Sequence, residues 1–166
     1  MSDVFTVVNQ PGDRMTNLLA LYRRQLKARF SGRFDLCGRK NQLNYSLVFG
    51  TNHVCGFVKM KEAMWSVDKQ SGMSFSDARP GGEALFIYAG FEPLWDMLRQ
   101  RFAGKTVPVT ELYRYVNAET DYLDKHARAI LKEREKSGDI TAEAIPGQKR
   151  IGKSFTEGKV RVVFPT

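Results

Sequence analysis

The chain has 166 residues, of which 42% are apolar and 11% aromatic, enough to form the core of one folded domain or of two small ones. A net charge of +8 and an isoelectric point near 9.6 favour a polyanionic partner such as nucleic acid. No apolar run is long enough to cross a bilayer and the N-terminus lacks the pattern of a signal peptide, so the sequence predicts a cytoplasmic protein with no membrane partner.

The N-terminal part predicts a helix, a hairpin and a second helix. Apolar side chains at three- and four-residue spacing predict an amphipathic helix over residues 16–30. Its inward side chains are expected to be Leu18, Leu19, Tyr22, Leu26 and Phe30. Two strands, 33–37 and 43–50, follow on either side of a turn-forming stretch at 38–41. A helix over residues 53–67 should then bury Val54, Phe57, Val58, Met64 and Trp65.

A change of composition separates this part from the rest of the chain. Residues 69–83 are rich in glycine and serine and have no hydrophobic period, so we interpret them as a linker. A short strand at 85–88 and a helix at 92–102, with Pro93 in its first turn, are predicted next. The inward side chains of that helix are expected to be Leu94, Trp95, Leu98 and Phe102.

The following elements are short. Gly104 should end the helix at 92–102, and residues 106–109 are predicted to be extended because Pro108 keeps its predecessor out of the helical region. Thr110 is the expected N-cap of a second helix, which contains Leu112, Tyr113 and Val116.

A third helix is predicted to start near residue 120 or 121 and to stop at 137–138. On a helical wheel, Leu123, Ala127, Ile130 and Leu131 form one apolar stripe. Lys125, Arg128, Lys132 and Lys136 lie opposite it. His126 falls between the two faces, where a packed or solvated histidine is expected ahead of a general base. Strands at 140–145 and 159–164 enclose a loop at 146–158.

This order of elements predicts an α+β protein with two domains. Residues 1–68 form the helix–hairpin–helix unit and residues 84–166 a winged helix-turn-helix domain, joined by the linker at 69–83. The assignment of the second domain rests on three short helices, a small strand between the first two, and a two-stranded ribbon after the third.

The loop at 146–158 contains a phosphate-binding pattern. Residues 147–154, GQKRIGKS, match G-x-x-x-x-G-K-[ST], which requires a helix directly after the loop. The residues after Ser154 instead contain Gly158 and a β-branched run at 160–163, which predict a strand. We therefore interpret the match as a chance occurrence in a loop between strands and expect no nucleotide hydrolysis.

The third helix and the loop carry the candidate binding residues. In a winged helix-turn-helix, the third helix enters the major groove and the loop reaches the backbone or the minor groove. The candidates are Lys125, Arg128, Lys132, Lys136, Lys149, Arg150, Lys153, Lys159 and Arg161. The expected partner is nucleic acid, DNA ahead of RNA. Acidic residues on the same helix, among them Glu133 and Glu135, leave docking on another protein as the alternative.

Catalytic and metal-binding patterns are absent from the sequence. There is no Ser, His and Asp set with a local signature and no H-E-x-x-H motif. The only cysteines, Cys37 and Cys55, are expected to be buried thiols, and two histidines make a zinc site unexpected. The sequence therefore predicts a non-enzymatic protein with no cofactor and no metal.

One segment carries a family resemblance. YSLVFGTNH at residues 45–53, followed by MKEAMWSVD at 60–68, resembles the C-terminal half of three-Cys-motif partner proteins, and the resemblance extends from about residue 17 to residue 164. It implies a bacterial or phage-associated protein that partners a radical SAM or methyltransferase-like protein, in nucleic-acid processing or defence. Nothing in the chain matches the glycine-rich methyltransferase-like region of that family, so the resemblance implies no cofactor site.

Overall fold

The computed structural model describes residues 14–40, 42–76 and 91–166. The chain divides into two compact units, residues 1–84 and residues 85–166, which are described separately. No helix among the described residues is both long enough and apolar enough to span a bilayer.

The first unit is a small sheet with helices. Helix α1 (Arg14–Leu26) leads into strands β1 (Phe30–Cys37) and β2 (Leu43–Thr51), and helix α2 (Val54–Val67) precedes strand β3 (Ser74–Ser76). The strand order is β2-β1-β3, with β1 and β2 antiparallel and β3 parallel to β1. The hairpin and the second helix predicted from the sequence are confirmed, each within a few residues.

Aromatic side chains join α2 to the sheet. Phe57 of α2 stacks on Phe30 of β1 with ring centroids 5.5 Å apart, and lies 6.0 Å from the ring of Phe49 of β2. Phe34 and Trp65 are buried as well. The buried residues of α2, Phe57, Lys61 and Trp65, follow the predicted helical period. Val54, which was predicted to be buried, is exposed, and Lys61, which was not, is buried.

The first helix differs from its prediction. It ends at Leu26 because Lys27 adopts a left-handed conformation (φ 50°) that turns the chain, so Phe30 belongs to β1. Leu21 is buried on this helix, whereas Tyr22 and Leu26 are exposed. Of the predicted stripe, Leu18 and Leu19 are half-buried, whereas the inward positions predicted for Tyr22, Leu26 and Phe30 need correction. Cys55 is also exposed, contrary to the expected buried thiol.

The predicted linker needs correction over residues 69–76. The Asp68 carboxylate accepts backbone hydrogen bonds from Gln70, Met73 and Ser74, at 3.0 to 3.2 Å. These bonds shape a turn that delivers the chain to β3. Glycine and serine here therefore serve a tight turn and a three-residue strand, which a compositional argument does not separate from a linker. Residues 77–83 and the strand predicted at 85–88 lie outside the described residues.

The second unit has the element order predicted for a winged helix-turn-helix. Helix α3 (Glu92–Phe102), strand β4 (Thr106–Pro108) and helices α4 (Val109–Glu119) and α5 (Asp124–Ser137) are followed by strands β5 (Thr141–Ala144) and β6 (Val160–Val163). The strands form an antiparallel sheet in the order β4-β6-β5. All four inward side chains predicted for α3 are buried in one hydrophobic core.

Two helix starts differ from the sequence interpretation. Helix α4 begins at Val109, so Thr110 lies within its first turn, and its hydroxyl accepts a hydrogen bond from the Gly158 N–H. Helix α5 begins at Asp124, later than predicted. Thr120 ends the previous helix instead, donating to the Val116 carbonyl and accepting from the Tyr122 N–H. Neither threonine therefore caps the N-terminus of a helix, the role for which its residue type is typical. The predicted end of α5 is confirmed, since Gly138 is its left-handed C-cap.

Candidate nucleic-acid interface

The solvent side of α5 is strongly basic. Its exposed residues between the two ends are Lys125, Arg128, Ala129, Lys132, Glu133 and Lys136. Helical geometry explains the pattern, since these positions recur every three or four residues opposite the buried Ala127, Ile130 and Leu131. We call Lys125, Arg128, Lys132 and Lys136 the basic face. Their predicted exposure on one side of a helix is confirmed.

The loop between β5 and β6, residues 145–159, is built from three turns and is called the wing. Hydrogen bonds from Gln148 N to Ile145 O, from Ser154 N to Ile151 O and from Lys159 N to Thr156 O close these turns at 2.9 to 3.3 Å. Each turn contains a glycine with positive φ, at positions 147, 152 and 158. Phe155 is buried in the core and fixes the base of the wing.

Arg150 holds the wing against α5. Its Nη1 and Nη2 donate to both carboxylate oxygens of Glu135 at 2.6 and 2.7 Å. Nη1 also donates to the Ala142 carbonyl and Nε to the Ser154 carbonyl, at 2.7 and 3.0 Å. The guanidinium lies 5.0 Å from the centroid of the Phe155 ring. These contacts join the last turns of α5 to the wing.

Two of the candidate arginines, Arg150 and Arg161, are held in intramolecular ion pairs. The Arg150 side chain is only 13% exposed and its guanidinium is bonded on every nitrogen, so it holds the wing and offers little surface for the phosphate contact predicted from the sequence. Arg161 lies on β6 and forms an ion pair with Glu143 on β5 at 2.8 Å. Lys149, Lys153 and Lys159 are exposed, and we call them the wing lysines. Lys153 is close enough to Glu135 to help lower the pKa of that carboxyl.

The Glu135–Arg150 pair should make the stability of the second unit depend on pH. Hydrogen bonds from Arg150 hold the pKa of Glu135 below its ordinary value of 4.5. Because the folded pKa is the lower one, the stabilisation is complete above the ordinary pKa and is lost as the pH falls through the lowered value. A Glu135→Gln variant should therefore have a lower free energy of unfolding than the wild type. The difference should be largest at neutral pH and should shrink progressively below about pH 5.

Urea unfolding at a series of pH values measures this difference in the free energy of unfolding. Glu133→Gln, an exposed position on the same helix, is the matched control and should show little difference from the wild type at any pH. A Glu135→Gln deficit that stays constant down to pH 3 would contradict the assignment.

Arg128 is held by a second network that sequence reasoning missed. Its Nε donates to the Tyr113 hydroxyl at 3.3 Å, and its Nη2 lies 3.7 Å from the Asp124 carboxylate. The Tyr113 hydroxyl in turn donates to the Phe155 carbonyl at the base of the wing, at 2.9 Å. Burial raises the pKa of Tyr113, which therefore stays protonated and keeps this donor. A core tyrosine on one helix gives no sequence signal that it touches an arginine fifteen residues later.

His126 is a packed residue, as predicted. It is buried, its Nδ1 accepts a hydrogen bond from the Leu123 N–H at 3.2 Å, and its ring stacks on Phe91 with centroids 4.7 Å apart. Because the bond from Leu123 satisfies a free N–H at the start of α5, the histidine acts as a capping residue of that helix.

The phosphate-binding letters lie in the wing, as predicted. Residues 147–154 lie between β5 and β6, and the residues after Ser154 form turns and β6, with no helix. The Ser154 N–H is already bonded to Ile151 O, and Arg150 is bonded to Glu135. In the described part of the chain, no group of three His, Cys, Asp or Glu side chains is arranged to hold a metal ion.

Comparisons with known proteins agree with this geometry. A family model described as a GMT-like wHTH domain, a winged helix-turn-helix, matches residues 68–147, which include every helix of the second unit. Neither the curated proteins nor the solved structures give a match to the chain. The C-terminal part of this α+β chain is therefore a winged helix-turn-helix domain.

Proposed function

We propose that the second unit binds nucleic acid, with duplex DNA preferred over RNA, through the basic face of α5 and the wing lysines. The observation that carries this proposal is that seven exposed cations lie on two elements joined by the Glu135–Arg150 pair. Winged helix-turn-helix domains bind nucleic acid in general, which supports the proposal. Arg150 does not belong to the proposed surface, because it is 13% exposed and bonded on every nitrogen, and Arg161 lies on β6, outside both α5 and the wing.

The dimensions of α5 favour a DNA duplex. An α-helix with its side chains is about 10 to 12 Å across. The major groove of B-form DNA, about 12 Å wide, accepts such a helix. The major groove of A-form RNA is too narrow for side chains to read, so duplex RNA would use a different surface. With α5 in the groove, the wing would lie beside the phosphate backbone.

A salt titration tests the proposal. The proposed surface has six exposed lysines, three on α5 and three on the wing. Without counting Arg128, they allow at most six phosphate contacts. If most of them neutralise a phosphate, the logarithm of the binding constant should fall with the logarithm of salt concentration with a slope of about −4 to −5. Duplex DNA, duplex RNA and single strands are compared by fluorescence anisotropy. Absence of measurable binding to all of them at low salt would end the proposal.

We also propose that the protein is not an enzyme. A P-loop binds nucleotide through free backbone N–H groups at a helix N-terminus, and the wing offers neither that helix nor the Ser154 N–H. We therefore expect neither ATP nor S-adenosylmethionine to raise the melting temperature or to give heat in calorimetry. Saturable binding of ATP that is lost in a Lys153→Gln variant would overturn this part of the proposal.

A second candidate function is docking on another protein. One side of the first unit's sheet carries three exposed apolar side chains. Tyr45 and Phe75 both pair with Leu36, and Leu47 pairs with Phe34. Their exposed fractions are 68% for Tyr45, 53% for Leu47 and 43% for Phe75. Exposed apolar side chains grouped in this way favour a protein contact. The resemblance to three-Cys-motif partner proteins supports a radical SAM or methyltransferase-like partner, in bacterial or phage defence or nucleic-acid processing. Co-purification with such a partner, together with indifference to polyanions, would favour this function over the first.

A further inference from the structure

Arg128 differs from the other cations of the basic face because its side chain is held in place. The Tyr113 hydroxyl bonds its Nε, the Asp124 carboxylate lies beside its Nη2, and its guanidinium carbon is 5.6 Å from the Tyr113 ring centroid. Lys125, Lys132 and Lys136 form no hydrogen bond or ion pair with any residue that the structure describes. One guanidinium is therefore oriented among three lysines without such contacts.

The contacts leave one edge of the guanidinium available. An arginine has five N–H donors, and the contacts of Arg128 account for Nε and one side of Nη2. Nη1 has no partner among the described residues, and 49% of the side chain is exposed. The outer fork of Nη1 and Nη2 is the part of an arginine that can donate two parallel hydrogen bonds to the O6 and N7 atoms of guanine.

We propose that Arg128 recognises a guanine in the major groove and that Tyr113 and Asp124 are its positioning residues. The proposal rests on the proposed function, since it requires α5 to enter a DNA groove. Arg128 lies in the first two turns of α5, the part of a recognition helix that contacts base edges in helix-turn-helix proteins.

The Asp124 carboxylate favours a base over a phosphate as the partner of Arg128. A carboxylate 3.7 Å from the guanidinium repels a phosphate brought to the same arginine, because both are anions. The edge of a guanine carries only partial charges, so the same carboxylate repels it much less than a phosphate. Flexible lysines suffice for phosphates, which need positive charge without fixed geometry, whereas two parallel bonds to a base require the planar fork of arginine.

Tyr113 makes the orientation rigid. The residue is 1% exposed, and its hydroxyl is fixed by the bond to the Phe155 carbonyl. Because the same hydroxyl accepts from Arg128, the arginine is restricted before DNA arrives and loses less side-chain freedom on binding. The network also joins the first half of α5 to the base of the wing, so the base-reading residue and the wing are positioned together.

Selection from a randomised duplex library tests the proposal. The wild type should select a guanine at one position of its site, and replacing that base pair should weaken binding about 5- to 150-fold. Arg128→Lys keeps the charge but removes the planar fork, so its affinity for the guanine-containing site should fall about fivefold or more beyond any change in its affinity for non-specific duplex. Arg99→Lys, the same substitution at an exposed position of α3 outside the proposed surface, is the matched control and should keep the preference.

Tyr113→Phe separates positioning from a purely structural role. It removes only the hydroxyl, so it should weaken the guanine preference while affinity for non-specific duplex stays within about twofold. Equal weakening for all sequences would overturn the role given to Tyr113. An undiminished guanine preference in Arg128→Lys, or duplex binding by the wild type without any base preference, would overturn the role given to Arg128 and leave the proposed function standing. If the wild type binds no duplex at all, the proposed function itself fails.

Discussion

A variant in which Lys132, Lys149 and Lys153 are replaced together by glutamine should bind duplex DNA about 500-fold more weakly than the wild type at 0.1 M salt. Each phosphate contact releases counterions worth about 1.2 kcal/mol at this salt concentration, an eightfold change, and three such contacts multiply. All three side chains are exposed, one on α5 and two on the wing. Fluorescence anisotropy with a labelled duplex measures the affinity, and the salt slope should become shallower by about 2.7.

A matched control separates local contacts from net charge. Arg99, Arg101 and Lys105 are exposed cations of the same unit, on the last turn of α3 and the residues after it. Lys105 lies beside Phe164, at the end of β6 opposite the wing. Replacing these three by glutamine removes the same charge, yet should change affinity by less than about threefold because salt screens distant charges. Equal losses in the two triple variants would contradict the assigned surface.

Replacing Arg150 by alanine should destabilise the second unit by about 3 kcal/mol. The substitution removes the bidentate pair and two bonds to carbonyls, and leaves the Glu135 carboxylate, 13% exposed, without its partner. For a unit of this size the melting temperature should fall by about 12 to 24 °C. The wild type and the variants all carry Trp65→Phe in this experiment, so that Trp95 is the remaining tryptophan. It stacks on Phe164 in the core of the second unit and reports urea unfolding by its fluorescence.

Two further variants isolate the ion pair within that loss. Arg150→Lys keeps a charge but not the fork, so it should recover only part of the stability. A double-mutant cycle with Glu135→Ala should give a coupling energy of about 1 to 3 kcal/mol, and additivity of the two substitutions would contradict the pairing.

The structural role of Arg150 also predicts how its loss affects DNA binding. Without the pair, the wing should lose its fixed position beside α5, so duplex affinity falls while the salt slope stays the same. A slope shallower by about 0.9, as expected for a lost phosphate contact, would show that Arg150 binds DNA directly.

Elements with a strong local signal could be predicted from the sequence. The stripe of Leu94, Trp95, Leu98 and Phe102 matches the helical period along the whole of α3, and all four side chains are buried. The basic face of α5 follows from the same period, and Gly138 marked the end of that helix because glycine adopts the left-handed conformation without strain. In these segments local propensity and tertiary packing agree.

Features that depend on contacts between distant residues could not be predicted. Strand β3 has three residues and exists because β1 offers it a parallel edge, so its composition alone resembles a linker. Arg150 looked like one more basic residue of a loop, since nothing local indicates that Glu135, fifteen residues earlier, would bind it. The Tyr113–Arg128 contact is hidden for the same reason. Charge and period identified the surface, but not which of its cations are already paired.

Chemical-shift mapping of the full chain tests the central claim most directly. Backbone amide spectra are recorded at low salt with and without a DNA duplex. The largest changes should fall in α5 and the wing, at residues 124–137 and 145–159, with residues 99–105 little affected. A duplex that leaves these amides unchanged, or whose effects fall only on residues 14–76, would contradict the assignment of the nucleic-acid surface to the winged helix-turn-helix domain.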